Sequence, residues 1–266
     1  MDFDFDLAPK PAPTQGFPAF QWFKASRDPQ SAGVVGFRDQ IPPSFEAEAR
    51  RMGFQTRQVM VDAGGKSAFW APALDLAIVR IRSRWIVTNQ AGQAVSRYFR
   101  WDLATFREDL VDSVQAMAPG SKLESSLQIL VEARGSAVPF VISFRGKGAT
   151  TPLLNVIKGF EVGVVGMANT FRPDGANPLP VYAFYLPLVV STPEKVGSGK
   201  ATRVFQPALA SMPSDIDREY CLSRYVGRAA LERMNALANE SQTWQDQWDR
   251  LPELDDALAG PINAGE

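Results

Sequence analysis

The chain has 266 residues, 45% of them hydrophobic and 21% charged, an ordinary globular composition with enough apolar residues for a sizeable core. It contains no histidine and a single cysteine, Cys221, which excludes Ser-His-Asp and Cys-His catalysis, His-based and Cys-cluster metal sites and an internal disulfide. Net charge is −1, but residues 1–6 carry −3 and residues 240–266 carry −6, leaving +8 on residues 7–239: a basic body with acidic ends.

No apolar run approaches the roughly 20 residues of a membrane span. The opening MDFDFDLAPKPAP is acidic where a signal peptide is basic. The sequence therefore reads as that of an intracellular, cytoplasmic protein with no membrane partner.

Residues 1–15 read as a disordered, proline-containing lead-in. FPAFQWFK, residues 17–24, is the first strand candidate, and residues 31–38 a short strand or loop. Ser44 is placed to cap a helix over Glu46 to Met52 that stops at Gly53. FQTRQVMV and KSAFWA flank a turn at residues 62–65, so 54–71 reads as a hairpin.

LDLAIVRIRSRWIVT, residues 74–88, is the most informative stretch. Its even positions include Arg80, Arg82 and Arg84. Side chains alternate across a strand, so one face carries three arginines in a row, about 6.6 Å apart at twice the strand rise. That spacing is close to the phosphate repeat of an extended nucleic-acid strand; a merely solvated outer face is the plainer alternative. After the turn at residues 89–92, Gln93 to Trp101 reads as the next strand, in which Arg97-Tyr98-Phe99-Arg100-Trp101 interleaves phosphate-binding and base-stacking residue types. Folding energetics favour Phe99 and Trp101 inward, with Tyr98 and Arg100 outward.

Asp102 is placed to cap a helix over Leu103 to Met117. Leu127, Ile129 and Val131 then share one face of a strand, and Val138, Phe140, Ile142 and Phe144 one face of its hairpin partner, joined through Gly135-Ser136. Two stretches invite comparison with a phosphate loop: Arg145-Gly146-Lys147-Gly148-Ala149-Thr150-Thr151, and residues 197–202 with Lys200. Neither fits G-x-x-x-x-G-K-[ST], since Gly148 follows one lysine and Ala201 the other. Both read as basic loops able to touch a nucleic-acid backbone. Thr150 or Thr151 would start a helix through Leu153 to Ala168. Val181 to Val190 reads as a central strand and Ala201 to Phe205 as the last one. At Ser211 the pattern turns helical. Ser214 to Asp217 resembles a capping box, Gly227 interrupts, and Leu231, Met234, Leu237 and Ala238 form an apolar stripe. Trp244 and Trp248 share a face.

The expected organisation is α+β: a disordered tail (1–15), a β-rich core domain (16–210) forming an OB-like barrel or curled antiparallel sheet, C-terminal helices packed on it (211–250), and an acidic tail (251–266). The order FQWFK, SAFWAPALDLAIVRIRSRW, VISFRGKG, LPVYAFYLPLVV and then a helix with paired tryptophans resembles an uncharacterised bacterial family best represented in cyanobacteria. That resemblance implies no activity and transfers no catalytic residues. More loosely, a basic and aromatic β-barrel with an acidic tail is similar to phage and plasmid single-stranded DNA-binding proteins, although this tail ends Asn263-Ala264-Gly265-Glu266 rather than in an acidic-hydrophobic peptide.

The function expected is non-catalytic binding of single-stranded nucleic acid, DNA before RNA, by Arg80, Arg82, Arg84, Arg97, Tyr98, Arg100, Arg145, Lys147 and Lys200. No cofactor and no metal are expected. Protein partners through the acidic tail, and self-association, are further expectations. The alternatives are a structural or adaptor protein of a phage, plasmid or defence assembly, and a carboxylate-based nuclease using Asp75, Asp102, Glu132 and Glu161, which no spacing groups together.

Overall fold

A computed structural model of the chain describes residues 17–24, 29–61, 64–89, 100–101, 106–117, 119–196 and 202–246. In chain order the elements are β1 (Ala19–Phe23), β2 (Gly33–Phe37), α1 (Glu46–Arg51), β3 (Gln55–Val61), β4 (Gly64–Ala71), β5 (Ala73–Thr88), β6 (Arg100–Trp101), α2 (Arg107–Met117), β7 (Lys122–Ala133) and β8 (Phe140–Arg145). There follow α3 (Lys147–Phe160), a π-helical turn (Glu161–Val165), α4 (Gly166–Thr170), β9 (Leu186–Val190), β10 (Glu194–Val196), β11 (Thr202–Val204), β12 (Pro207–Leu209), α5 (Arg218–Arg224), α6 (Arg228–Glu240) and α7 (Gln242–Asp246).

The class is α+β, with a curled sheet and a C-terminal helical segment, as the sequence pattern predicts. The strands lie in the order β12-β9-β5-β7-β8-β1-β2-β4-β3, with β6 also on β5. The sheet is mixed rather than wholly antiparallel, because β1 runs parallel to β8.

It curls around α3. Leu127, Ile129 and Val131 on β7, with Phe140, Ile142 and Phe144 on β8, turn one face to Leu153, Val156, Ile157 and Phe160 of the helix. That is the strand alternation and helical spacing legible in the sequence. The chain just before β12 returns to β1: Trp22 Nε1 donates to the Phe205 carbonyl and the Phe205 N–H donates to the Lys24 carbonyl, both at 3.2 Å. These bonds tie the two sides of the curl together with α3 inside. The opposite face of the sheet receives α6 and α7, where Ala77 and Val79 meet Met234 and Ala238, and Leu130 and Val141 meet Trp244. The expected apolar stripe of the C-terminal helix does pack on the sheet.

Several local expectations shift. Ser44 does not cap α1; a 3-10 turn, Pro43–Phe45, leads into the helix, and Phe45 takes the cap position. The helix stops where Gly53 adopts a φ of 92°, as its position suggests. Residues 145–151 are not a loop. Arg145 ends β8, Gly146 turns with a φ of 72°, and Lys147 begins α3, three residues before the expected cap. The Val181 to Val190 run divides into a 3-10 turn (Val181–Ala183) and β9, which lies one strand from the sheet edge rather than at its centre. Asp217, not Ser214, caps α5, accepting the Tyr220 N–H at 2.8 Å. Among the described residues no helix is long and apolar enough to cross a membrane.

Candidate nucleic-acid interface

The arginine strand does not lie open. Leu74, Leu76 and Ile78 face the core around α3, and without an irregularity Arg80 would follow them there. The register shifts between Ile78, opposite Val131, and Arg80, opposite Leu130. Val79 is the extra residue of a β-bulge, and the bulge moves every later side chain to the other face. Arg80 and Arg82 thus emerge beneath the C-terminal helices.

Arg80 donates through Nε, at 3.0 Å, and through Nη2 to the Ala238 carbonyl of α6. Arg82 donates to the Trp244 carbonyl at 2.6 Å and to Gln128 Oε1 at 2.9 and 2.6 Å, and its guanidinium lies 3.8 Å from the Trp244 ring centroid. Arg82 is 5% exposed and Arg84 7%. The expectation of a continuous exposed arginine face is corrected here. Protein carbonyls and an indole ring occupy the positions in which phosphates and bases were expected. The reason is tertiary: the apolar stripe of α6 and the Trp244 side chain need an apolar surface, and Ala77, Val79, Tyr185, Leu130 and Val141 supply it next to the arginines.

The expected residues that the fold does draw together lie at the far end of the same face. Arg84, Ser126 and Arg145 stand opposite one another across β5, β7 and β8. Paired residues project from the same side of a sheet. Lys24, directly after β1, and Glu124 of β7 close over Gly146: a Cβ added there would lie 2.9 Å from Lys24 Nζ and from Glu124 Oε1. Burial holds the Lys24 ammonium below its ordinary pKa; Glu124 opposes that shift and Arg145 adds to it. Lys147, the first residue of α3, is exposed, as is Lys122 at the start of β7. The turn itself is well fixed. The Gly146 N–H donates to the Ser125 carbonyl at 2.7 Å, and the hydroxyls of Ser125 and Thr150 are bonded at 2.7 Å.

This end of the sheet carries Lys24, Arg84, Lys122, Arg145 and Lys147, with Glu124 beside Lys24, and α2, which holds Glu108, Asp109 and Asp112, packs on Leu123 at the same end. Arg145 and Lys24 are both half-buried, and the Lys24 ammonium itself is largely withdrawn from water beside Glu124. The sequence reading missed Lys24 and Lys122. Lys24 closes an aromatic strand and carries no signal of its own, because only the parallel β1–β8 pairing brings it beside Arg145.

Other expected residues contribute less to this geometry. Arg100 stands opposite Ile86 in the backbone register, two residues beyond Arg84. Arg97, Tyr98 and Lys200 lie outside the described residues. Of the carboxylates considered for a nuclease, Asp75 pairs with Arg134 and Arg224, and Glu132 with Arg233. Asp102 is outside the described residues, and among those described no group of three His, Cys, Asp or Glu residues could hold a metal ion. Compared with protein families, curated proteins and solved structures, the chain matches none.

Proposed function

We propose that this protein binds single-stranded nucleic acid without catalysis, through the basic corner formed by Lys24, Lys122, Arg145 and Lys147, with Arg84 beneath. The observation that carries this reading is the row Arg84–Ser126–Arg145 across three strands, flanked by two exposed lysines. Phosphate contacts by such cations are independent of base sequence and give salt-dependent affinity. The resemblance to phage and plasmid single-stranded DNA-binding proteins agrees with it.

The test is titration of a fluorescently labelled oligonucleotide with the full-length protein over a range of salt concentrations. The expected log–log slope is about −0.7 per phosphate contact. Replacing Arg145 and Lys147 with alanine should flatten it by about 1.4 and weaken binding. A parent that leaves the oligonucleotide unbound at low salt refutes the reading, as does one that cleaves it when magnesium is added.

A structural or adaptor role is the second reading. It is favoured by the exposed apolar side chains of the helical layer around α4 and α5, with Val162 71% and Leu222 60% exposed.

A further inference from the structure

Among the described residues, no strand pairs with the outer edge of β3 at one end of the sheet. The β3–β4 register is continuous from Gln55 opposite Trp70 to Val61 opposite Gly64, and β3 contains no proline. Natural edges are usually blunted, because free N–H and C=O groups template further pairing.

The direction of the β3 backbone groups follows from its neighbour. The Ser67 carbonyl accepts the Arg38 N–H at 3.2 Å, on the side of β4 away from β3. Gln58 stands opposite Ser67. It is therefore a non-hydrogen-bonded position of that ladder and aims its own N–H and C=O outward. By alternation Thr56 and Met60 do the same. Phe54, next in phase, gives its N–H to the Ala49 carbonyl at 2.9 Å, which ends the open stretch.

We propose that this edge joins β3 of a second copy, antiparallel, about a twofold axis at Gln58. Three outward residues on each strand pair most completely when Gln58 faces the partner's Gln58 and Thr56 faces the partner's Met60. That register forms three hydrogen-bonded residue pairs, whereas a shift of two residues either way forms two. Charge rules against one of the two shifted registers. Arg57 is the one charged residue in β3. It lies opposite the partner's Val59 in the favoured pairing, but opposite itself when Thr56 is set against Gln58. Like charges directly opposite in a ladder are destabilising. A self-complementary patch about a twofold axis is the commonest form of homo-oligomer, and strand addition supplies its affinity through main-chain hydrogen bonds. The occupant is thus a second copy of this chain, and the two curled sheets become continuous.

Gln58 has an exposed side chain, so charge can be placed on it without touching the core. The experiment compares full-length parent, Gln58→Lys and Gln58→Glu by sedimentation across micromolar concentrations, with circular dichroism as the check on folding. The parent is expected at twice the 29.2 kDa chain mass. Each variant alone should dissociate several-fold more readily, and an equimolar mixture of the two should recover the dimer. A parent of single-chain mass overturns the proposal. So do variants that dimerise like the parent, or a mixture no tighter than its components. If a charged Gln58 variant fails to fold, Thr56→Lys/Met60→Lys and Thr56→Glu/Met60→Glu set like charges against each other across the same axis and take the place of the pair under the same criteria.

Discussion

Trp244 and Arg82 hold each other in place. The indole is fully buried between α7 and the sheet, and the guanidinium stacks on it while donating to its carbonyl. Trp244→Ala should destabilise the fold by about 3–5 kcal/mol. The indole N–H finds no acceptor among the described residues. Trp244→Phe removes that orphan donor and keeps most of the ring, so it should cost clearly less than alanine. Urea unfolding of the two variants checks the order, and a Trp244→Ala midpoint equal to the parent's would mean the ring is not part of the core. Lys24 gives a prediction in pH. Its folded pKa lies below the unfolded value of 10.5, chiefly through burial. The unfolded chain therefore binds the extra proton between those two values, and stability rises with pH across that window. Lys24→Met should melt above the parent near neutral pH, and the gap should narrow as pH climbs towards 10.5. A constant gap in melting temperature would show that the ammonium is not penalised.

At the scale of elements, α6 is docked by an ion pair of unequal partners. Glu132 on β7 is 1% exposed and accepts from Arg233 at 2.7 Å, while the Arg233 side chain remains 40% exposed. The hydrogen bond to Glu132 raises the Arg233 pKa, with burial acting against it. Removing the two partners should therefore have different effects. Arg233→Ala strands a buried carboxylate and should cost about 3–5 kcal/mol. Glu132→Ala leaves a cation that can turn into water, and its cost should be smaller. Chemical denaturation of both single variants measures the asymmetry; equal losses would mean that Glu132 reaches solvent when its partner is gone. The bulge in β5 belongs to the same scale. It lets one strand serve the α3 core with Leu74, Leu76 and Ile78 and the C-terminal helices with Arg80 and Arg82.

Over the whole molecule, two sets of cations stand in different surroundings. Arg80 and Arg82 are committed to α6 and α7, whereas at the corner Arg145 is half-buried and Lys147 exposed. Within the oligonucleotide titration, Arg80→Ala/Arg82→Ala should lower the melting temperature and leave the salt slope as in the parent. The Arg145 and Lys147 replacements should do the reverse. A flattened slope in the first variant, with unchanged melting, would return the binding face to the arginine strand. Net charge gives no guide to this division, because the acidic ends nearly cancel the basic body.

Local periodicity determined much of the fold. The alternation of Leu127, Ile129 and Val131, the facing run of Phe140, Ile142 and Phe144, the 54–71 hairpin and the stripe of α6 were all legible, because each is set by neighbours a few residues away. The composition alone excluded histidine and cysteine-cluster chemistry. The tertiary structure decided which helices each part of β5 meets. A one-residue bulge inverts the face of every residue after it, and no residue type in Ile78-Val79-Arg80 marks it. It also decided that Lys24 and Arg145 are neighbours, through a parallel pairing between strands more than a hundred residues apart. Such contacts depend on how the sheet closes around α3, a property of the assembled core that no sequence window contains.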